Sequence, residues 1–310
     1  MSDDYLGWGP VSHSNTDPDI TNSPTAHETR ILEEFLDHYG TPDAIPTAEA
    51  ARQLMSLCND SRQGIVAAVD KGESVSWLLW GTGTEMPRHQ PAILRLLEAI
   101  RALPELEMTD EQRLMWWCKD RFEQWRDLRA FDILWFESWE MADISITACF
   151  VLRYGRGRNM EASNMFRRIN AFNAHHLAMY PPDCVISNEL SRAFQVLVVT
   201  LEQDPWNHGP PTQPVTSLNV DVHALVPFLE ISGDVIFSLM DQCDLSMVEL
   251  PKSSDHNLWN GDSNFSMARW EFWKERLRWI GEQNELMEMT RYEAHRMVQL
   301  MHDIEQRGSA

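Results

Sequence analysis

The chain has 310 residues, of which 43% are hydrophobic and 24% charged, so we expect a sizeable folded core rather than global disorder. Its formal net charge is −21, from 26 Lys and Arg against 47 Asp and Glu. A field of this sign repels phosphate backbones and anionic lipid headgroups, which argues against nucleic acid and membrane surfaces as partners.

Cysteine usage and the first residues indicate the compartment. The five Cys are odd in number and widely spaced, and no Cys-x-x-Cys occurs, so neither a disulfide framework nor a zinc site is expected. The chain starts without the basic and apolar regions of a secretory signal, and no apolar run reaches transmembrane length. We therefore expect a soluble, cytoplasmic protein.

Hydrophobic periodicity predicts an all-α fold. Residues 1–22 are rich in Ser, Asp, Asn, Thr and Pro and are predicted to form a mobile arm. The remaining sequence predicts about ten helices and no convincing strand. Eleven stretches have helical periodicity: residues 24–39, 47–57, 65–80, 88–102, 109–125, 131–152, 160–179, 188–201, 220–240, 266–280 and 290–304. Residues 23–310 are predicted to form a single all-helical domain, a multi-helix bundle whose paired helices would also permit a loosely superhelical stack.

Some of these boundaries depend on single residues. Gly81 and Gly83 mark the predicted end of the third helix, and Pro227 is expected to kink the helix over 220–240 or to end its first part. Thr290 and Glu293 have the spacing of a capping box, which predicts that the last helix starts there.

The helix predicted over residues 266–280 has Ser266 as its N-cap and one strongly apolar face. The side chains of that face recur at spacings of three, four and three: Trp270, Trp273, Leu277 and Ile280. We interpret this face as a packing seam. Three basic residues of the same helix are assigned to the acid-rich exterior: Lys274, Arg276 and Arg278.

Two segments resemble a known family. The segment Asn257-Leu-Trp-Asn-Gly-Asp-Ser-Asn-Phe-Ser-Met-Ala-Arg-Trp-Glu-Phe-Trp-Lys-Glu-Arg276 and the segment Met165-Phe-Arg-Arg-Ile-Asn-Ala-Phe-Asn-Ala174 are similar to fungal proteins with domain of unknown function 3632. The resemblance extends over about residues 27–305. It implies an all-helical, intracellular fungal protein and transfers no catalytic residue. Some relatives look as though they sit among natural-product biosynthetic genes, which implies small-molecule chemistry.

Familiar catalytic signatures are absent from the sequence. There is no Asp-Asp-x-x-Asp, His-Glu-x-x-His or Gly-x-Ser-x-Gly, and no glycine-rich phosphate loop follows a strand. We therefore predict neither a metal site nor a cofactor. His175 and His176 are adjacent and face about 100° apart on a helix, and a surface or core role is the alternative to a functional one.

Arginine is concentrated in one place in this acidic chain. Five Arg fall within sixteen residues: Arg153, Arg156, Arg158, Arg167 and Arg168. The segment 154–158 is predicted to be a loop whose glycines let the backbone approach a ligand, and the following helix start favours anions. An internal salt-bridge network with surplus carboxylates is the alternative.

We hypothesise a cofactor- and metal-independent cyclase or isomerase, such as a Diels–Alderase, acting on an apolar natural-product intermediate in fungal secondary metabolism. Thirteen Trp and sixteen Met would shape its pocket, although core packing also accounts for them. The candidate catalytic residues are Arg168, His175 and His176. The candidate substrate-binding residues are Trp135, Trp139, Tyr154 and Asn170. The alternative is a non-catalytic helical scaffold or regulator that binds a partner protein; the oligomeric state is left open.

Overall fold

The computed structural model describes residues 26–42, 44–56, 64–104, 156–180, 188–203, 218–240, 258–261 and 265–308. These residues contain nine α-helices and no β-strand, which confirms the all-α class. The helices are α1 (Ala26–His38), α2 (Thr47–Ser56), α3 (Gly64–Glu85), α4 (Gln90–Arg101), α5 (Arg156–Met179), α6 (Asn188–Leu201), α7 (Leu218–Ser238), α8 (Met267–Gly281) and α9 (Glu288–Gly308). The predicted arm at 1–22 and the helices predicted over 109–125 and 131–152 lie outside the described residues.

Contacts divide the chain into two compact units. The first includes α1, α2 and α3 up to Leu78, together with the end of α4 from Ala99. In it α1 packs on α2, and the Ser74 hydroxyl donates to the buried Glu28 carboxylate at 3.0 Å. The second includes Leu79–Glu98 and helices α5 to α9. The single domain over 23–310 stays a prediction.

Helix α7 is the centre of the second unit. It packs against α5, α6 and α9, and α8 packs against α9. All six residues from Ala224 to Leu229 are buried, so this stretch of α7 is covered on every side. A Cβ on Gly233 would lie 2.6 Å from Ile304 Cδ1. The glycine therefore permits the close approach of α7 and α9.

The predicted end of the third helix is wrong. Helix α3 continues through Gly81 and Gly83 to Glu85 and is followed by a short 3-10 turn at Pro87–His89. Glycine lowers helix propensity by only about 1 kcal/mol, which packing can offset. Proline restricts the residue before it, so Pro87 ends the helix where the glycines do not.

Helix α7 also runs without a break through Pro227, so the expectation that proline ends its first part is wrong. The predicted start of the last helix is wrong as well, because Thr290 lies inside α9. Its hydroxyl donates to Asn219 Oδ1 at 2.8 Å, and the same oxygen accepts the Met287 N–H at 3.0 Å. The Asn219 side chain, at the start of α7, thus accepts hydrogen bonds from the first residues of α9 and from the residue before it, so no local capping box is needed.

Helix α8 begins as predicted, since the Ser266 hydroxyl accepts the Arg269 N–H. The four residues of the predicted seam are each 0% exposed, which confirms that face as core. The exterior position predicted for Lys274 is wrong. Lys274 is 2% exposed, and its ammonium lies 2.7 Å from Glu271 and 2.6 Å from Glu305. Two carboxylates compensate its burial, and a helical wheel cannot anticipate the one from α9.

Candidate functional site

Helix α5 carries the four candidate site residues that the structure describes. It starts at Arg156, so the predicted loop over 154–158 is wrong for its last three residues. Arg168 and His175 are seven positions apart and share a face to within about 20°. Asn170 points about 140° away from His175, and His176 about 100° away from it. The structure therefore aligns Arg168 with His175 and directs Asn170 elsewhere. Trp135, Trp139 and Tyr154 lie outside the described residues.

Asn170 belongs to the packing of α5 against α7. It is 0% exposed, and its side-chain amide donates to the Ala224 carbonyl at 3.3 Å. Three residues on, Asn173 is also buried and accepts a hydrogen bond from Arg192 of α6 at 3.2 Å. This polar face fixes α5 between α7 and α6.

Arg168 meets a buried glutamine at the start of α4. Gln90 is 0% exposed, and its side-chain amide donates to two backbone carbonyls, those of Gly83 and Arg168, each at 2.8 Å. Two further polar atoms here are buried and have no hydrogen-bond partner among the described residues: Gln90 Oε1 and Arg168 Nε. One is an acceptor and the other a donor.

The two histidines of α5 have different surroundings. Burial lowers the pKa of His175 below its usual value, so its imidazole is neutral at neutral pH. The ring of His176 packs against the ring of Tyr180, with 5.2 Å between centroids. His175 is thus available as a hydrogen-bonding group without charge, and His176 as part of an aromatic contact.

A charged cluster joins α5, α7 and α9. The Arg167 guanidinium lies 3.8 Å from Glu230 and 3.7 Å from Glu293, and Arg296 binds the same two carboxylates. Burial first, and then the charge of Arg167, lower the pKa of the nearby His223, while Glu293 opposes them. Arg167 therefore belongs to a salt-bridge network, which is the alternative that the sequence left open beside ligand binding.

A second charged group is completely buried between α6 and α8. Arg269 donates to both carboxylate oxygens of Glu202, at 2.5 and 2.8 Å, and the Trp273 indole N–H donates to the same carboxylate at 2.7 Å. Glu202 is 0% and Arg269 2% exposed. Both oxygens of the Glu202 carboxylate bind side chains of α8, so Glu202 and Arg269 are a structural ion pair.

Sequence reasoning missed Gln90, Glu202 and His223. Gln90 reaches a carbonyl 78 positions away and Glu202 a guanidinium 67 positions away. No local motif signals such contacts, because they depend on which helices pack together.

One end of the second unit has an open groove with a volume of about 590 Å³. Its apolar lining comes from the ends of α7, α8 and α9: Phe237, Met240, Met267 and Ile304. At the rim, Arg307 and Asp234 are paired at 2.8 Å.

Apolar side chains are also exposed where α9 begins. Met287, Met289 and Tyr292 are 47%, 55% and 61% exposed. Exposed acidic residues stand nearby in sequence: Glu282, Glu285 and Glu288. Exposed apolar side chains and exposed carboxylates are thus neighbours in sequence where α9 begins.

The part of the chain with described coordinates holds no group of three or more His, Cys, Asp or Glu that could bind a metal ion. Within the same residues, no helix has both the length and the apolar character needed to cross a membrane.

Comparison with known proteins gives one result. Residues 78–277, more than half of the chain, match the family described as protein of unknown function (DUF3632). The match falls inside the range over which the resemblance was expected, and it includes the junction of Gln90 and Arg168. No curated protein and no solved structure matches.

Proposed function

The chain belongs to the DUF3632 family of proteins of unknown function, and we propose that it is a cyclase or isomerase that needs neither cofactor nor metal. Its substrate would be an apolar natural-product intermediate of fungal secondary metabolism, and its location the cytoplasm. A pericyclic reaction such as a Diels–Alder cyclisation converts two π bonds into two σ bonds, so the product is an isomer of the substrate. It requires no nucleophile, oxidant or proton acceptor.

One observation carries this proposal: the buried Nε–H of Arg168 that no described residue accepts. A positioned donor stabilises charge that grows on a substrate carbonyl during cyclisation, and it does so more effectively away from water. His175 lies on the same face of α5, about 10 Å further along the helix axis, and its neutral imidazole would bind a second polar group of the substrate.

The three aromatic candidates and His176 keep their predicted roles within this proposal, whereas Asn170, predicted to bind substrate, takes a positioning role. Trp135, Trp139 and Tyr154 would line the substrate's apolar body, and His176 would act beside His175. Asn170 would position α5 through its hydrogen bond to α7.

Metabolite profiling of a strain that lacks the gene tests the proposal. We expect a precursor to accumulate and its cyclised isomer to disappear, and an unchanged profile would refute the cyclase. Complementation with Arg168→Met, which removes the donor but keeps an unbranched apolar stem, should fail to restore the isomer. Arg167→Met changes the neighbouring charge and should restore it, since Arg167 is engaged with Glu230 and Glu293.

A non-catalytic scaffold is the second candidate, favoured by the exposed side chains of Met287, Met289 and Tyr292. Methionine-rich surfaces adapt to different partner shapes. The partner would present apolar residues flanked by Lys or Arg, complementary to the neighbouring carboxylates. Replacing Met289 and Tyr292 with Ser should abolish such binding without lowering the thermal midpoint; retained binding would refute this surface.

A further inference from the structure

We propose that Asn219 of α7 controls the exposed surface at the start of α9, because it supplies the hydrogen-bond acceptor without which the first turn of that helix frays. The surface consists of Met287, Met289 and Tyr292, which are 47%, 55% and 61% exposed. The inference rests on the second candidate function, the scaffold, because it names the regulation of that same surface. A partner would bind these side chains only while the turn that carries them is folded.

The start of α9 lacks a cap of its own. The first hydrogen bond within the helix runs from the Arg291 N–H to the Met287 carbonyl at 3.1 Å, so Met287 is the N-cap residue. Methionine has no side-chain oxygen that could accept an N–H of the first turn. In a capping box the third helical residue accepts the N–H of the N-cap residue, but here that residue is Thr290, whose hydroxyl acts as a donor.

Asn219 replaces the missing local cap. Its Oδ1 accepts the Met287 N–H at 3.0 Å and the Thr290 hydroxyl at 2.8 Å. Because a backbone N–H can only donate, the oxygen of the Asn219 amide must face it, and not the nitrogen. Thr290 is 0% exposed, so its hydroxyl depends on a partner within the protein. One side-chain oxygen thus holds both the N-cap residue and the third residue of α9.

The same contact makes the surface dependent on α7. Asn219 is the second residue of that helix. Two residues later the Asp221 carbonyl accepts the Thr200 hydroxyl of α6 at 3.4 Å. The Ala224 carbonyl then accepts the Asn170 amide of α5 at 3.3 Å. The start of α7 therefore joins α5, α6 and α9. A movement there that withdraws the Asn219 oxygen unfolds the surface, and a partner bound to the folded surface stabilises the start of α7 in return.

Amide hydrogen exchange of the full-length protein, followed by mass spectrometry, tests this control. Asn219→Leu removes the acceptor and keeps the size of the side chain. We expect exchange over residues 286–292 to become about fivefold faster, since loss of an N-cap shifts the opening equilibrium of a helix end by about that factor. Exchange over residues 297–304 of the same helix should stay unchanged. The matched control is Asn164→Leu, at an exposed position of α5, which should change neither segment.

Two further variants distinguish an acceptor from a group that only fills space. Asn219→Asp keeps a side-chain oxygen at the same position and should retain the slow exchange of the wild type. Thr290→Val removes the hydroxyl that shares this oxygen. In the Asn219→Leu background it should cause no further increase, because the hydrogen bond that it would break is already lost.

Unchanged exchange over residues 286–292 in Asn219→Leu overturns the proposal. An equal increase along the whole of α9 also overturns it, because Asn219 would then support the helix in general. If Asn219→Leu does not fold, Asn219→Ala takes its place with the same expected result, since this half-buried position tolerates a smaller side chain.

The exchange measurement needs no partner, so it is independent of the scaffold function. Faster exchange in Asn219→Leu, together with partner binding that survives replacement of Met289 and Tyr292, would refute the scaffold surface alone. Unchanged exchange, together with binding that those replacements abolish, would refute the control by Asn219 alone.

Discussion

Removing the carboxylate of Glu202 is expected to destabilise α8 strongly. Glu202→Leu would remove the two hydrogen bonds that the Arg269 guanidinium, 2% exposed, donates to Glu202, and would leave the Trp273 indole N–H without its acceptor. Breaking a buried ion pair from one side costs about 3–5 kcal/mol, most of it from the charge left behind. We expect a loss in that range for Glu202→Leu and for Arg269→Met.

The double variant separates the net contribution of the ion pair to the free energy of unfolding from the cost of leaving one charge unpaired. When both partners are replaced by apolar residues, no buried charge is left unpaired, and such replacements are often close to neutral. We expect Glu202→Leu with Arg269→Met to be more stable than either single variant, which gives a coupling energy of at least about 2 kcal/mol.

Urea unfolding followed by circular dichroism measures the global effect, and amide hydrogen exchange in α8 measures it locally. The control is Asp234→Ala, which breaks the Arg307 pair whose side chains are 53% and 64% exposed. Exposed pairs contribute about 0–1 kcal/mol. Single variants of the buried pair that cost no more than this control would refute the reasoning.

Two further results are expected. The imidazole of His223 should titrate below its usual midpoint in proton NMR, and Arg167→Gln should raise that midpoint because the nearby positive charge contributes to the lowered pKa; an unchanged midpoint would contradict the assignment. Because His223 has a lowered folded pKa, its contribution to stability is present above pH 6.5 and decreases as the pH falls through the folded value. In thermal unfolding, Gly233→Ala should destabilise by about 1–3 kcal/mol, because the new Cβ meets Ile304. Gly81→Ala, with no described atom within 4 Å, should stabilise by about 0.5–1 kcal/mol, and equal effects at the two glycines would refute the packing argument.

The helices were predictable from sequence where burial follows a simple period. Helix α6 has the bounds that periodicity predicts, and the seam of α8 is buried as its spacing indicates. Boundaries that depend on tertiary contacts were not predictable. The start of α9 is satisfied by Asn219, 71 positions from Thr290, so the local capping pattern was misleading.

The candidate site was predictable only in part. Arg168 stood out because it belongs to a cluster of five Arg within sixteen residues of this acidic chain, and adjacent Arg167 stood out for the same reason. Only the structure separates them, since Arg167 is paired with two carboxylates and the Nε of Arg168 is buried without a described partner. Gln90 gave no signal, because a glutamine at a helix start is ordinary until its carbonyl partners are known.

The conversion of an isolated precursor by the purified protein tests the proposed reaction most directly. The substrate is the compound that accumulates in the deletion strain, and mass spectrometry follows its conversion with and without a metal chelator. We expect an isomer of identical mass, formed at a rate that the chelator does not change and that Arg168→Met lowers by about a hundredfold. A precursor that the protein leaves unchanged, or a product of different mass, would contradict the proposal.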